Sequence, residues 1–164
     1  MAVSPTGEKE DLGIRGYRSR AVEDSYRYRS RHVVQSYELD PLDRVHHAIF
    51  LNWIEQAYYN AIGLAGHPLE QLRDGDWMVF QGGHDIEFFT PARNHDEIET
   101  VSWICEIGKV RGAWTHEIYE SRNETLLARD YSLGIFVNAD GKPTAAPGSL
   151  IEDVLRGPRE GYSE

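Results

Sequence analysis

One cysteine, Cys105, stands among 164 residues. A single thiol excludes an internal disulfide and any cysteine-based metal cluster. No apolar run approaches the length of a membrane span, and the N-terminus lacks the apolar core of a secretion signal. A soluble cytoplasmic protein is therefore expected. No GxSxG elbow, HExxH or HxxxH pair, or glycine loop followed by GK[ST] occurs. These absences argue against a serine-hydrolase elbow, a helical zinc pair and a phosphate loop. No metal and no cofactor is expected. Positive charge is also scarce, with a formal net charge of −10, which argues against nucleic-acid binding through phosphate neutralisation. The deficit is uneven: residues 1–31 carry seven Lys/Arg against five Asp/Glu, leaving −12 on the remainder.

What is present is enough for one core. Hydrophobic residues make up 40% of the chain, which suits a single domain of this length. No internal repeat is visible. The organising stretch is Glu38 to Gly63, ELDPLDRVHHAIFLNWIEQAYYNAIG. Asp40-Pro41 signals a turn, because a residue before proline avoids helical backbone. A helix is predicted from Val45 or His46, about 18 residues and roughly 27 Å long. It is apolar on nearly every side, apart from a stripe of Asn52, Gln56 and Asn60 beside Glu55, so it is expected to be buried. Gly63 and Gly66-His67-Pro68 stop it. An acidic loop carrying Glu38, Asp40 and Asp43 thus leads into a helix N-terminus, where the dipole favours anions.

The remaining pattern predicts strands and one short helix. His32–Tyr37 reads as a strand ahead of the helix. A short helix follows at Pro68–Leu72, then a turn at Asp74-Gly75. Trp77–Phe80 and Ile86–Phe89 form one strand, bent at Gly82-Gly83. Glu99–Ile107 alternates, with Val101, Trp103, Cys105 and Ile107 on one face. Ala113–Glu120 and Leu126–Val137 follow, and a helix near Leu150–Leu155 closes the chain. Short turns between consecutive strands imply antiparallel pairing, hence an α+β layer of one long helix on one curved sheet. Residues 1–31 are predicted to be an N-terminal extension before a domain spanning 32–164. Their Tyr/Arg alternation suits a solvated segment lying on the body, a basic arm for an acidic partner, or an edge strand.

Asp40 is the candidate nucleophile or general base, since a carboxylate at a helix start is held ionised. His47, in the first helical turn, is the candidate orienting group, and its amide faces a developing oxyanion. His46 is expected to be a packed core or interface histidine. Glu55 is expected to hydrogen-bond structurally, with a substrate role as the minority reading. Arg93, Lys109 and Arg111, in turns between strands, are the candidate contacts for substrate phosphates.

The motif DPLDRVHHAIFLNW, with Trp53 thirteen positions after Asp40, resembles the 4-hydroxybenzoyl-CoA thioesterase family of hotdog folds. It is most similar to the bacterial acyl-CoA thioesterases associated with the Tol–Pal system, and more distantly to thioesterases of enediyne polyketide pathways. IEFFTPARNHDEI, GKVRGAW and TLLARDYSLGIFVNADGKPTAAP extend the resemblance over about residues 32–150. It implies a five-stranded antiparallel sheet wrapped round the long helix, subunits paired as dimers or tetramers, and an active site at the dimer interface. It implies that Asp40 and His47 are catalytic, that Glu55 occupies an acidic helix position, and that the Arg111 turn meets the nucleotide of CoA. The family usually has glycine where this chain has Asp43, and a tyrosine one position further upstream of the aspartate than Tyr37. The enediyne enzymes lack the aspartate and use a helix arginine where this chain has Gln56. The activity implied is hydrolysis of an acyl-CoA or acyl-carrier-protein thioester. The alternatives are an enoyl-thioester hydratase or dehydratase, and a non-catalytic acyl-CoA-binding protein.

Overall fold

The structure, a computed structural model, describes residues 19–73, 75 and 77–159. The first eighteen residues of the expected extension, and Asp74 of the expected turn, lie outside the described residues.

The strands are β1 (Ser19–Ala21), β2 (Tyr28–Val33), β3 (Trp77–Phe88), β4 (Glu97–Gly108), β5 (Arg111–Glu120) and β6 (Thr125–Asn138). The helices are α1 (His47–Leu64), α2 (Leu69–Arg73) and α3 (Gly148–Arg156). The sheet is antiparallel throughout, in the order β1-β4-β5-β6-β3, with β2 also on β4. Ser19–Ala21 pairs with Glu106–Gly108, and Tyr28–Val33 with Glu97–Ser102. The two short strands are thus one interrupted edge lane. Between them, Val22 N donates to Cys105 O, and Ile104 N to Ser25 Oγ. Counted in lanes, the sheet is the expected five.

The first strand is displaced from its expected position. It ends at Val33 instead of beginning at His32, and Ser36–Glu38 form one 3-10 turn. The alternation Tyr28-Arg-Ser-Arg31 supplies the strand. Tyr28 turns inward at 2% exposure and donates its hydroxyl to Val154 O on α3. Arg29 and Arg31 stay outside, paired with Glu99, and Arg27 lies 3.8 Å over the Trp103 ring. Their charge is therefore matched on the sheet's outer face, which also bears a shallow groove of about 1020 Å³.

Helix α1 has its expected length of 18 residues. Phe50, Trp53, Ile54, Ala57, Ala61 and Ile62 are buried. Its first half packs with Ile98, Ile118 and Leu127, its second with Ile104, Trp114 and Phe136. The expectation of burial on all sides fails in the single chain. Leu51 and Tyr59 remain 37% and 42% exposed, beside exposed Asn52, Glu55 and Gln56. A sheet of five lanes covers one side of a helix and leaves the other open.

On β4, Val101 and Trp103 share the outer face as predicted, but a register shift between Ile104 and Glu106 turns Ile107 to the inner side, where it packs with Ile104 and Trp114; Ile98, Thr100, Ser102 and Ile104 face α1 and are the more deeply buried. The expected bend in β3 is a register shift between Gln81 and Gly83.

Candidate active site at the start of the long helix

Asp40 sits in a tight turn. Its amide donates to Arg44 O at 2.6 Å, and its Oδ1 accepts from Leu42 N at 2.8 Å and Arg44 N at 3.2 Å. Arg44 approaches Oδ2 at 3.8 Å. Desolvation pushes the Asp40 carboxyl up, but the two amides and the Arg44 charge outweigh it and hold it below the usual aspartate range. Asp40 is thus an anion at neutral pH.

The turn demands one residue with positive φ. Asp43 takes it at +57°, a conformation that costs most L-residues about 1–2 kcal/mol and that Asp and Asn tolerate best. This explains why glycine suits the position.

Two further contacts pin the turn. Val45 N donates to Ala92 O, and His46 N to Glu38 O, each at 2.9 Å. Glu38 itself is 6% exposed. It accepts from Gln35 N at 2.7 Å and from Trp53 Nε1 at 3.0 Å, and its Oε2 lies 2.8 Å from His32 Nε2. Burial raises the Glu38 carboxyl and these donors more than reverse the effect, leaving it lowered. The sequence marked Glu38 only as one of three crowding acids. Its role as the buried post of the turn was readable from no local signal, because Trp53 arrives from the helix.

His46 is not packed in the core of the single chain. It is exposed, its Nδ1 accepts from Ala48 N at 3.2 Å as the helix N-cap, and its ring stacks on His47 at 4.2 Å. His47 is the first residue of α1 and is also exposed. Its amide holds a position for which helix geometry provides no intrahelical acceptor.

The candidate cations are split. Arg93 is exposed and follows Ala92, the residue bonded to the Asp40 turn. Lys109 lies in the β4–β5 connection, beside Phe136 and Ala146 at the far end of α1. Arg111 is not in a turn. It opens β5 at 7% exposure, and its guanidinium donates to Glu106 at 2.6 Å. A paired, buried guanidinium is poorly placed to meet phosphate.

Glu55 makes no structural hydrogen bond to a strand of the kind expected. It is exposed and lines a cavity of about 290 Å³ between the open side of α1 and the sheet. The cavity runs along α1 from Leu51 to Tyr59, starting one turn beyond His47. Trp114, Phe136 and Tyr58 give it apolar walls, and His84, His116 and Ser132 give it polar ones. Asp40 lines neither this cavity nor the outer groove. Among the described residues no cluster of His, Cys, Asp and Glu suits a metal ion. No described helix is long and apolar enough to cross a membrane.

No family model and no curated protein matches the chain. Solved structures do. The 1,4-dihydroxy-2-naphthoyl-CoA thioesterase Slr0204 from Synechocystis aligns with a TM-score of 0.74 at 20% identity, over 79% of this chain and 96% of that one. The dynemicin thioesterase aligns with a TM-score of 0.74 at 18% identity, over 80% and 97%. SAV2348 from Staphylococcus aureus, a hypothetical protein solved in complex with CoA, aligns with a TM-score of 0.74 at 13% identity, over 88% and 94%. The chain has the hotdog fold of the two thioesterases among them.

Proposed function

We propose that the chain hydrolyses an acyl thioester of CoA or of an acyl-carrier protein. The observation that carries this reading is Asp40: an ionised carboxylate, locked by its own turn, leading directly into the open first turn of α1. The thioester oxygen would rest on the first amides of α1, that of His47 among them, a class of contact that contributes roughly 3 kcal/mol to the barrier. Asp40 removes a proton from the water that attacks the carbonyl carbon, or attacks that carbon itself to give a mixed anhydride that water then hydrolyses to free the acid and restore Asp40. On either route the carbon–sulfur bond breaks and the thiolate leaves. His47, exposed and stacked on His46, orients the substrate or water. Arg93 is the cation beside this turn and is assigned the nucleotide phosphates. Lys109 and Arg111 lie at the other end of α1 and take no part within one subunit.

The acyl chain is placed along the open side of α1, past Glu55. Two known thioesterases share the fold, and a third relative in fold was solved with CoA. A homodimer, or a tetramer built from it, is part of the proposal. β3 ends the sheet with one free edge, and it presents Met78 and Phe80 at 55% exposure and Phe88 at 46%. Two such edges paired about a two-fold axis close a dimer and remove the exposed edge. A thiol-release assay across acyl-CoA and acyl-carrier-protein thioesters tests the reading. Absence of release from every member of that panel would remove it.

A further inference from the structure

The cavity beside α1 has a notch in its sheet wall. Gly112 on β5 and Gly134 on β6 stand directly opposite each other, and both line the cavity. Residues two apart on a strand share a face, so Trp114 and Phe136 flank the pair on the same side of the sheet. The strands run antiparallel, which puts the indole at one end of the notch and the phenyl ring at the other. From α1, the Tyr58 ring meets Trp114 edge-on at 5.3 Å between centroids.

Glycine inside a strand has three ordinary structural reasons: a positive φ, a bulge, or other atoms crowding its Cα. Gly134 has the third. A Cβ built there would meet Val79 Cγ1 of β3 at 2.9 Å. Gly112 has none of them. Its φ is not positive. The register shifts that involve β5 lie elsewhere, between Ile104 and Glu106 on β4 and between Ile118 and Tyr119. A Cβ at Gly112 would meet only Glu106 O at 3.7 Å and Phe136 Cε2 at 4.0 Å, ordinary contact distances. The fold therefore has room for a side chain here and carries none. An unfilled recess forfeits dispersion contacts along its walls, and a strand glycine that packing does not require marks a place where a ligand approaches the backbone.

The notch is remote from the reacting centre. Tyr58 stands three helical turns beyond His47, about 16 Å along the axis of α1. The cavity, at about 290 Å³, is at the small end of ligand sites, which suits a hydrocarbon chain and not the nucleotide of its carrier.

We propose that Gly112 is a specificity-determining residue for acyl length. The distal carbons of a chain of the dodecanoyl class lie in the notch between Trp114 and Phe136, on the bare backbone of Gly112 and Gly134. Chains too short to reach it leave it empty and lose that burial. The acyl chain is that of the thioesterase reading, on which this assignment rests, while the notch is a property of the cavity itself.

The test separates binding from turnover. Butyl, octyl and dodecyl thioethers of CoA, which cannot be hydrolysed, are titrated into the intact protein by calorimetry. For wild type, affinity should rise by about fourfold for each methylene that is newly buried, and the rise should continue to dodecyl. Gly112→Val fills the notch and should cut the dodecyl-to-butyl affinity ratio tenfold or more. Gly112→Ala, for which the recess has room, should melt no lower than wild type and should reduce the same ratio by a smaller factor. In thiol release from the matching thioesters, the loss should fall on the long chains and appear in KM. Length-dependent binding that Gly112→Val removes, with no release from any thioester, keeps the notch and removes the hydrolase. Wild-type affinity ratios in both variants overturn the notch. A melting temperature lowered in Gly112→Ala also overturns it, and makes the glycine a folding requirement. Equal weakening of all three chains by Gly112→Val, with a shift toward monomer in sedimentation velocity, overturns it as well and gives the recess to a side chain of a second copy.

Discussion

Trp53, buried in the first half of α1, donates its indole N–H to Glu38 Oε1 at 3.0 Å, across 15 positions of chain. This bond joins the Asp40 turn to the helix it feeds, because Glu38 also accepts His46 N through its carbonyl. Glu38→Gln keeps the shape but weakens three charge-assisted contacts. It should destabilise the fold by roughly 1–3 kcal/mol, read from the denaturant midpoint. The Glu38 carboxyl titrates lower in the folded chain than in the unfolded one. Its contribution is therefore present above the ordinary glutamate range and is lost as pH falls through the lowered folded value. The gap between wild type and variant should narrow in acid.

Asp40→Asn retains an oxygen to accept from Leu42 N and Arg44 N, so thermal stability should move little. Thiol release should fall by about a hundredfold, the size of general-base losses. Because the Asp40 carboxyl is held low, wild-type activity should show no acid limb from this group until below the ordinary aspartate range. Unchanged turnover in the variant would take Asp40 out of the mechanism.

Asp43 holds φ at +57°. Replacement by glycine should leave stability equal or raise it by up to about 1 kcal/mol. Replacement by valine should lower it by about 1–2 kcal/mol. Thermal denaturation of the pair checks the turn geometry independently of activity.

His116 is fully buried, and its pKa is lowered to about 3 by burial and by His84. The unfolded chain takes up the proton near pH 6.5. Stability from this group is therefore intact above that pH and declines on acidification toward the folded value, by up to roughly 1.4 kcal/mol per pH unit. His116→Gln should be less stable than wild type at neutral pH and should lose less between pH 7 and pH 5, as urea midpoints at the two values would show.

Phe80 stands 55% exposed on the strand that ends the sheet. Phe80→Lys should shift the protein toward monomer in sedimentation velocity, since a charge on an edge strand opposes edge pairing. A variant that sediments as wild type would remove β3 from the subunit contact.

Local signals settled most of the elements, though not the first strands, which lie at Ser19–Ala21 and Tyr28–Val33 instead of His32–Tyr37. Proline after Asp40, the apolar run from Ala48 to Ile62 and glycine near its end are enough for the turn, the helix and its 18-residue length, because each acts within a few residues. Alternation with short turns is enough for an antiparallel sheet, whose pairing partners are chain neighbours from β4 to β6. Which face of β4 meets α1 was not local: Val101 and Trp103 are as apolar as any inward residue, and the choice depends on where the sheet curves. The site was divided in the same way. Asp40 and His47, the proposed pair, lie seven positions apart and were marked from local pattern alone, as turn and helix start. Glu38 as a buried post, Arg111 as a partner of Glu106, and the open recess at Gly112 all depend on contacts between distant stretches. Such contacts exist only once the sheet has closed around the helix, because burial is a property of the packed chain and not of any residue in it.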